Sequence, residues 1–352
     1  MQKNLKKYFS SIFILFFFIV ISFYQGEEYL NFYQSYNNQE QTKIIQASEI
    51  EDFSLKKIRN LDDTSLYYTP YKSLLDDITE KIDKANSRVY IEVYMLTETR
   101  IQDSLIRAKK RGIDVKIVLE KNPYMAYNIN DKAYKNMEKN GIEIVWSNSK
   151  NYSLNHTKLL IVDEEAIIST GNLTYSTFTY NRDFFVVIND KLLLEKLLSI
   201  FNADYAGEDF SIYDDNLVLS PNYSREKLEK MILEAKESID MYFQYLEDEK
   251  LFNIVLSKLK SGIKLNIVLA ETALENNKEE IEKLDLAGAQ VNLLKKPTIH
   301  SKAILVDDNY LFIGSVNFSE YSIDKNREIG IILKDEDVIK KFKEVFVKDI
   351  GN

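Results

Sequence analysis

His156-Thr157-Lys158-Leu159-Leu160-Ile161-Val162-Asp163 decides the reading of this chain, because it recurs as His300-Ser301-Lys302-Ala303-Ile304-Leu305-Val306-Asp307. The two copies hold the only two histidines in the sequence. With 46 Lys+Arg and 55 Asp+Glu among 352 residues, one His meets both spacings by accident roughly 2% of the time, and two do so roughly 4 times in 10,000. If the segments are extended, alternation puts His156 with Lys158, and His300 with Lys302, on one face. Leu159, Ile161, Ala303 and Leu305 then face the core. Asp163 and Asp307 fall at the strand end, off the His/Lys face, where they are expected to turn back or anchor a hairpin.

The surrounding chain repeats in the same order. In the first copy a helical pattern over Tyr71–Ala85 precedes a strand-like run at 89–96. A helix closing on Lys109-Lys110-Arg111-Gly112 then leads to an alternating strand at 113–119. The second copy offers a helix over Arg225–Glu237, a strand at 239–243, a helix closing at Lys260-Ser261-Gly262 and a strand at 263–269. Cations in the last turn followed by Gly are helix-end signals. Each copy goes on to a helix and a Gly-started strand, at 141–146 and 288–293. Helices alternating with strands predict an α/β fold of two tandem, α/β/α-layered lobes, residues 65–208 and 209–352.

Residues 1–26 read as a signal anchor or signal peptide. Lys3, Lys6 and Lys7 precede an apolar run from Ile12 to Tyr24 broken only by Ser22, and no cation follows directly. An N-terminal hydrophobic helix and an exported chain, membrane-anchored facing the extracytoplasmic side or secreted, are the expectations. Residues 27–64, rich in Asn, Gln, Tyr and Glu, lack a clear period and read as a tether. The formal charge of −9 gives no global field for nucleic acid or for anionic lipid headgroups, and the absence of cysteine excludes disulfides and thiolate chemistry. With no third His and a Lys beside each one, zinc binding is not expected. Lys295 and Lys296 stand just ahead of Pro297 and His300, where they are candidates for a cleft mouth.

Downstream the copies stay parallel. Ser169-Thr170-Gly171-Asn172 matches Gly314-Ser315-Val316-Asn317, and Asn181-Arg182-Asp183 matches Asn326-Arg327-Glu328. Paired His-x-Lys-x(4)-Asp motifs, Gly-Ser-x-Asn-like segments and a trailing acid resemble the phospholipase D superfamily over roughly residues 65–350. Two departures stand in the first copy: Ser169 replaces the leading Gly, and Asp183 replaces the more usual Glu.

The resemblance implies two lobes facing each other about a pseudo-twofold axis, so that one chain suffices for a complete site. A phosphodiester is an anionic, poor electrophile and needs charge neutralisation and in-line positioning. The resemblance implies that His156 attacks phosphorus to form a phosphohistidine and that His300 is the acid/base. Lys158 and Lys302 are expected to clamp the non-bridging oxygens without a metal or other cofactor. Thr170, Asn172, Ser315 and Asn317 are expected to donate hydrogen bonds to the phosphate. Asp183 and Glu328 are expected to hold the far ring nitrogen of the histidines. Asp163 and Asp307 complete the candidate catalytic set. The leading expectation is phospholipid hydrolysis or transphosphatidylation at a membrane surface. A metal-independent nuclease, a cardiolipin synthase-like phosphatidyltransferase and a non-catalytic lipid-binding protein are the alternatives, with nucleic acid a less favoured partner.

Overall fold

The structure, a computed structural model, describes residues 53–71, 73–148 and 150–351. The segment read as a signal or anchor, its hydrophobic helix and most of the tether lie outside the described residues. Among the described residues no helix is long and apolar enough to cross a membrane.

Sixteen strands are described. In chain order they are β1 (Thr64–Tyr68), β2 (Arg88–Val93), β3 (Asp114–Leu119), β4 (Glu143–Trp146), β5 (Lys158–Val162), β6 (Glu165–Ser169), β7 (Asn181–Arg182) and β8 (Phe184–Ile188). The second series is β9 (Leu217–Ser220), β10 (Ser238–Phe243), β11 (Lys264–Ala270), β12 (Gln290–Leu294), β13 (Thr298–Ile299), β14 (Ala303–Val306), β15 (Tyr310–Gly314) and β16 (Glu328–Leu333). Fourteen of them form two seven-stranded sheets, β1-β8-β6-β5-β2-β3-β4 and β12-β11-β10-β14-β15-β16-β9, and β7 pairs with β13 in a two-stranded sheet. Written outward from the motif strand, the orders are the same, so the two lobes share one topology. β2-β3-β4 and β10-β11-β12 are parallel, linked by helical crossovers, whereas β5-β6 and β14-β15 are antiparallel hairpins.

The helices of the first lobe are α1 (Leu74–Lys84), α2 (Thr99–Lys110), α3 (Asp131–Lys139), α4 (Tyr175–Thr179) and α5 (Lys191–Ala206). The second lobe has α6 (Ser224–Leu233), α7 (Glu249–Lys260), α8 (Ala273–Asn276), α9 (Lys278–Leu286), α10 (Glu320–Asp324) and α11 (Glu336–Gly351). Gly112 and Gly262, at φ +89° and +97°, follow α2 and α7 in the left-handed region that ends a helix without a Cβ penalty. Ile78 and Ile82 on α1 and Ile101 and Leu105 on α2 repeat at helical spacing and are buried against Ile91 and Ile117 of the sheet.

The structure corrects the tether at its C-terminal end. Phe53, Leu55 and Ile58 are buried in the second lobe's core with Val218, Leu228 and Met231, and Thr64 already opens β1. Arg59 makes a two-pronged pair with Asp190 at 2.5 and 2.8 Å, and Asn216 bonds the Arg59 backbone on both sides. The apolar residues here are spaced irregularly around one short turn, so no helical or strand period advertises them. The second lobe is therefore discontinuous in sequence, taking residues from before the first lobe as well as after it.

Candidate active site

Each motif histidine lies in the loop just before its strand, β5 or β14. That loop runs parallel to a segment of the other lobe. Asn155 bridges to Arg327, the His156 amide donates to the Arg327 carbonyl at 2.8 Å, and the Arg327 amide donates to the Leu154 carbonyl at 2.9 Å. Its mirror is the β13–β7 pair, in which the His300 amide donates to the Arg182 carbonyl at 3.2 Å and the Thr298 amide to that of Tyr180 at 3.0 Å. These backbone clasps put each histidine beside the acid of the opposite lobe.

The side chains follow. His156 Nδ1 lies 2.8 Å from Glu328 Oε2, and His300 Nδ1 lies 2.8 Å from Asp183 Oδ1. The acids expected to orient the histidines do contact them, with the partners exchanged between lobes. An acid on Nδ1 holds the ring so that Nε2 points away from it, toward whatever occupies the site. Asp183 is braced by the Thr170 hydroxyl at 2.6 Å, and Glu328 by the Ser322 hydroxyl and, at 3.3 Å, by Asn326.

Lys158 Nζ donates to the His156 carbonyl at 2.6 Å, and Lys302 Nζ donates to the His300 carbonyl. An ammonium has three protons, so each keeps donors for a ligand. Both lysines are buried, at 2% and 0% exposure. Burial lowers Lys158 well below its usual range against the pull of Glu328, with Lys302 lowering it further; burial brings Lys302 down to about 8 despite Asp183 and Glu328. Burial likewise takes His156 down to about 4, outweighing Glu328, with both lysines pushing the same way. His300 is lowered by burial and by the lysines against Asp183. Burial works to raise Asp183, but His300, Lys302 and Thr170 hold it below the usual carboxylate range. A site so desolvated and so rich in basic groups fits a bound phosphate, whose charge favours the ammonium forms of Lys158 and Lys302 and the imidazolium of His300, while the more deeply lowered His156 stays neutral.

Asn172 and Asn317 occupy matching positions, and their carboxamide oxygens are buried without a protein partner. It is the amide nitrogen of each, not this acceptor oxygen, that would donate to a phosphate. Thr170 and Ser315, expected at the phosphate, are spent elsewhere. Thr170 braces Asp183 and accepts from the Phe184 amide at 3.0 Å, while Ser315 exchanges bonds with the Ile329 backbone at 3.1 and 2.9 Å. Their hydroxyls sit beside the strand carrying the acid, which is why they bond to it.

Asp163 and Asp307 lie at the far ends of their strands from the histidines, which corrects their place in the catalytic set. Asp163, at φ +51°, accepts from the amides of Asn86, Ser87 and Arg88 at 2.8–3.2 Å; Asp307, at φ +52°, accepts from those of Lys236, Glu237 and Ser238 at 2.7–3.0 Å. Each pins a hairpin turn to the entry of the neighbouring central strand. These backbone bonds hold Asp163 down at about 2, although burial works to raise it. Lys295 pairs with Glu271 at 3.5 Å and remains largely exposed.

Sequence reasoning passed over two buried arginines. Arg182 bonds Asp349 of α11 through two nitrogens at 2.6 and 3.0 Å, and Arg327 bonds Asp204 of α5 at 2.8 Å. Each fastens the residue before an orienting acid to the last helix of the opposite lobe. The signal was present, since Asp204 and Asp349 stand at the same offset behind their arginines. Tyr94 was also missed: its ring meets that of His156 edge-on at 4.6 Å and lies 5.2 Å from Lys158 Nζ.

The family model described as "Cardiolipin synthase, PLD-like domain" matches residues 78–205 and 228–350, one match per lobe. A cardiolipin synthase of Staphylococcus epidermidis is 24% identical over 333 residues, covering 80% of this chain and 67% of that protein. A phospholipase D of Rickettsia conorii is 26% identical over 155 residues, 44% of this chain and 74% of that one. Among solved structures, phosphatidylserine synthase from Haemophilus influenzae superposes with a TM-score of 0.69 at 13% identity, covering 87% of this chain and 90% of that one, a likeness of fold.

Proposed function

The chain belongs to the PLD-like domain family of the phospholipase D superfamily, and from that premise we propose that it transfers a phosphatidyl group from one phospholipid to an alcohol acceptor, as a cardiolipin synthase-like enzyme. Phosphodiester chemistry is common ground for the relatives; transfer is favoured because cardiolipin synthases recur among them and span most of this chain. Hydrolysis, which the sequence alone put first, becomes the second reading, supported by the shorter match to a phospholipase D. It differs only in that water replaces the alcohol.

The observation that carries the reading is the crossed pair of His–acid contacts, each at 2.8 Å, between two buried lysines. In the proposed reaction neutral His156 attacks phosphorus through Nε2 while Glu328 steadies the imidazolium that forms. The P–O bond to the donor's headgroup breaks, and His300 gives its proton to the departing alkoxide. His300 then takes a proton from the acceptor hydroxyl, whose oxygen displaces His156 and restores it. Lys158, Lys302, Asn172 and Asn317 hold the non-bridging oxygens throughout.

The test offers phosphatidylglycerol vesicles to the purified chain, with ethanol in a parallel reaction. Cardiolipin and free glycerol in the first, and phosphatidylethanol in the second, are expected. Phosphatidic acid alone in both would replace transfer with hydrolysis. No lipid product, together with chelator-resistant nicking of plasmid DNA, would move the site to nucleic acid.

A further inference from the structure

The two lobes differ at the loop that follows the middle parallel strand. In each, a buried asparagine anchors the loop. Asn130 donates to the carbonyls of Tyr94 and Glu120, both at 2.8 Å, and accepts from the Leu96 amide at 3.1 Å; Asn277 donates to the Leu246 carbonyl at 2.8 Å and accepts from its amide at 2.9 Å. Ahead of these matched anchors the second lobe carries Glu271-Thr272-Ala273-Leu274-Glu275-Asn276, and the first carries Tyr124-Met125-Ala126-Tyr127-Asn128-Ile129.

The first-lobe loop turns its apolar side chains to water. Tyr124 is 70% exposed, Met125 81%, Tyr127 67% and Ile129 42%. Scattered exposed apolar residues are ordinary; four within six positions form a patch with a use. The loop is also held in place. The Tyr124 amide donates to the Tyr94 hydroxyl at 2.5 Å, and Glu120 accepts from the amides of Asn122 and Asn155, both at 2.8 Å. Met125 and Asn128 adopt φ +57° and +64°, which fold the loop outward. Tyr94 is the residue whose ring packs on His156, so the patch is bonded directly to the wall of the site.

Lys121 precedes the patch and Lys132 and Lys135 follow it, all exposed, with Asp131 the one acid among residues 121–135 of a chain whose net charge is −9. Aromatic and aliphatic side chains rimmed by ammonium groups match an interface with apolar tails below and phosphates above.

We propose that residues 124–129 seat the first lobe on the surface of an anionic phospholipid bilayer, with Tyr124, Met125, Tyr127 and Ile129 in the interface and the flanking lysines among the headgroups. This rests on the reading of the site as acting on phospholipid, and it adds the surface by which a bilayer reaches that site. The loop is expected to lift a lipid headgroup toward His156 from one side only, because the second lobe's acidic loop repels the same surface.

The chain has no cysteine, so single cysteines label cleanly. Tyr127→Cys and, as control, Leu286→Cys, 88% exposed on α9 of the other lobe, each carry an environment-sensitive nitrobenzoxadiazole dye on the full chain. With phosphatidylglycerol-containing vesicles the dye at 127 is expected to shift to the blue and to be quenched by bilayer-embedded quenchers, and the dye at 286 to do neither. A dye at 127 that stays in water while the protein is bound to vesicles overturns the proposal, as does equal insertion at both positions. Independently, a Tyr124→Ser, Met125→Ser, Tyr127→Ser variant should turn over vesicle phosphatidylglycerol at least about tenfold more slowly while keeping its rate on a monomeric short-chain phosphatidylglycerol. Equal losses on both substrates contradict it. If the unmodified chain turns over neither substrate, the phospholipid reading fails, and the dye result alone decides the docking surface.

Discussion

The two His–acid couples share a distance and differ in almost everything around it. His156–Glu328 and His300–Asp183 both close at 2.8 Å. Asp183 is short, and it reaches its histidine because Gly171 leaves room: a Cβ there would stand 2.9 Å from the Asp183 carboxyl carbon. In the second lobe that position is the buried Val316, and the acid is the longer Glu328, steadied by Ser322 and Asn326. The other departure is compensated in the same way. Gly314 faces Gly330 so closely that a Cβ would come within 2.4 Å of the opposing Cα, whereas Ser169 faces Phe185 in the first lobe. Beyond the central strand, Tyr94 covers His156, while the matching position is Gln244. Two copies of one plan have drifted into two chemically distinct halves of one site. The more enclosed imidazole, held neutral by burial, is the one proposed as nucleophile.

That comparison is open to attack at several strengths. Glu328→Gln removes the charge that steadies the His156 imidazolium and should cost about 10²–10⁴-fold in kcat with little change in fold. A double-mutant cycle in folding stability should find coupling of His156 with Glu328 and near-additivity of His156 with Asp183; the reverse pattern would sink the crossed arrangement.

Next come the two arginine locks. Burial and Asp204 push Glu92 well upward, and burial raises Asp204, so both acids beside Arg327 lean toward the protonated form. On the other side Tyr242, at the register of Glu92, donates to Asp349 at 2.7 Å. Breaking a buried ion pair by removing one partner costs about 3–5 kcal/mol, and Arg182→Met is expected to show that loss in chemical denaturation because Asp349 is left buried without its guanidinium partner. Arg327→Met should lose less, since its two acids are able to hold protons. Equal losses would mean that the two acids beside Arg327 do not cushion its removal.

The smallest structural effect falls on the aspartates at the strand ends. Asp163→Ala and Asp307→Ala should each lower stability by about 1–2 kcal/mol while leaving kcat near that of the parent, because three backbone amides lose a carboxylate partner far from the histidines. A large loss of kcat at unchanged stability would return them to the catalytic set. On pH, kcat/KM should fall as pH rises through about 8, when Lys302, lowered by burial, gives up its proton. Lys302→Arg should abolish that limb at whatever level of activity remains, and a limb that persists would assign the loss to another group.

Much of this was legible in the sequence, and what was hidden has a physical reason. The tandem lobes, their helix–strand order and the six residues His156, Lys158, Asp183, His300, Lys302 and Glu328 could be placed because alternation, Gly-ended helices and a repeated motif are local signals. The exchange of partners between lobes was not legible, since a backbone clasp between residues 155 and 327 leaves no periodic trace. The same holds for Thr170 and Ser315, whose hydroxyls are equally suited to a phosphate or to a neighbouring strand until their partners are known. Phe53, Leu55 and Ile58 were passed over because a single irregular turn lacks a pattern to read.

The most direct test is a covalent trap. The chain is mixed with phosphatidylglycerol carrying a labelled phosphate, quenched under alkali, digested and mapped. One label per chain, stable in alkali, lost in acid, located on His156 and absent from His156→Ala, is the expected result. Label divided between the two histidines, or found on neither, would contradict a single site built from unequal halves.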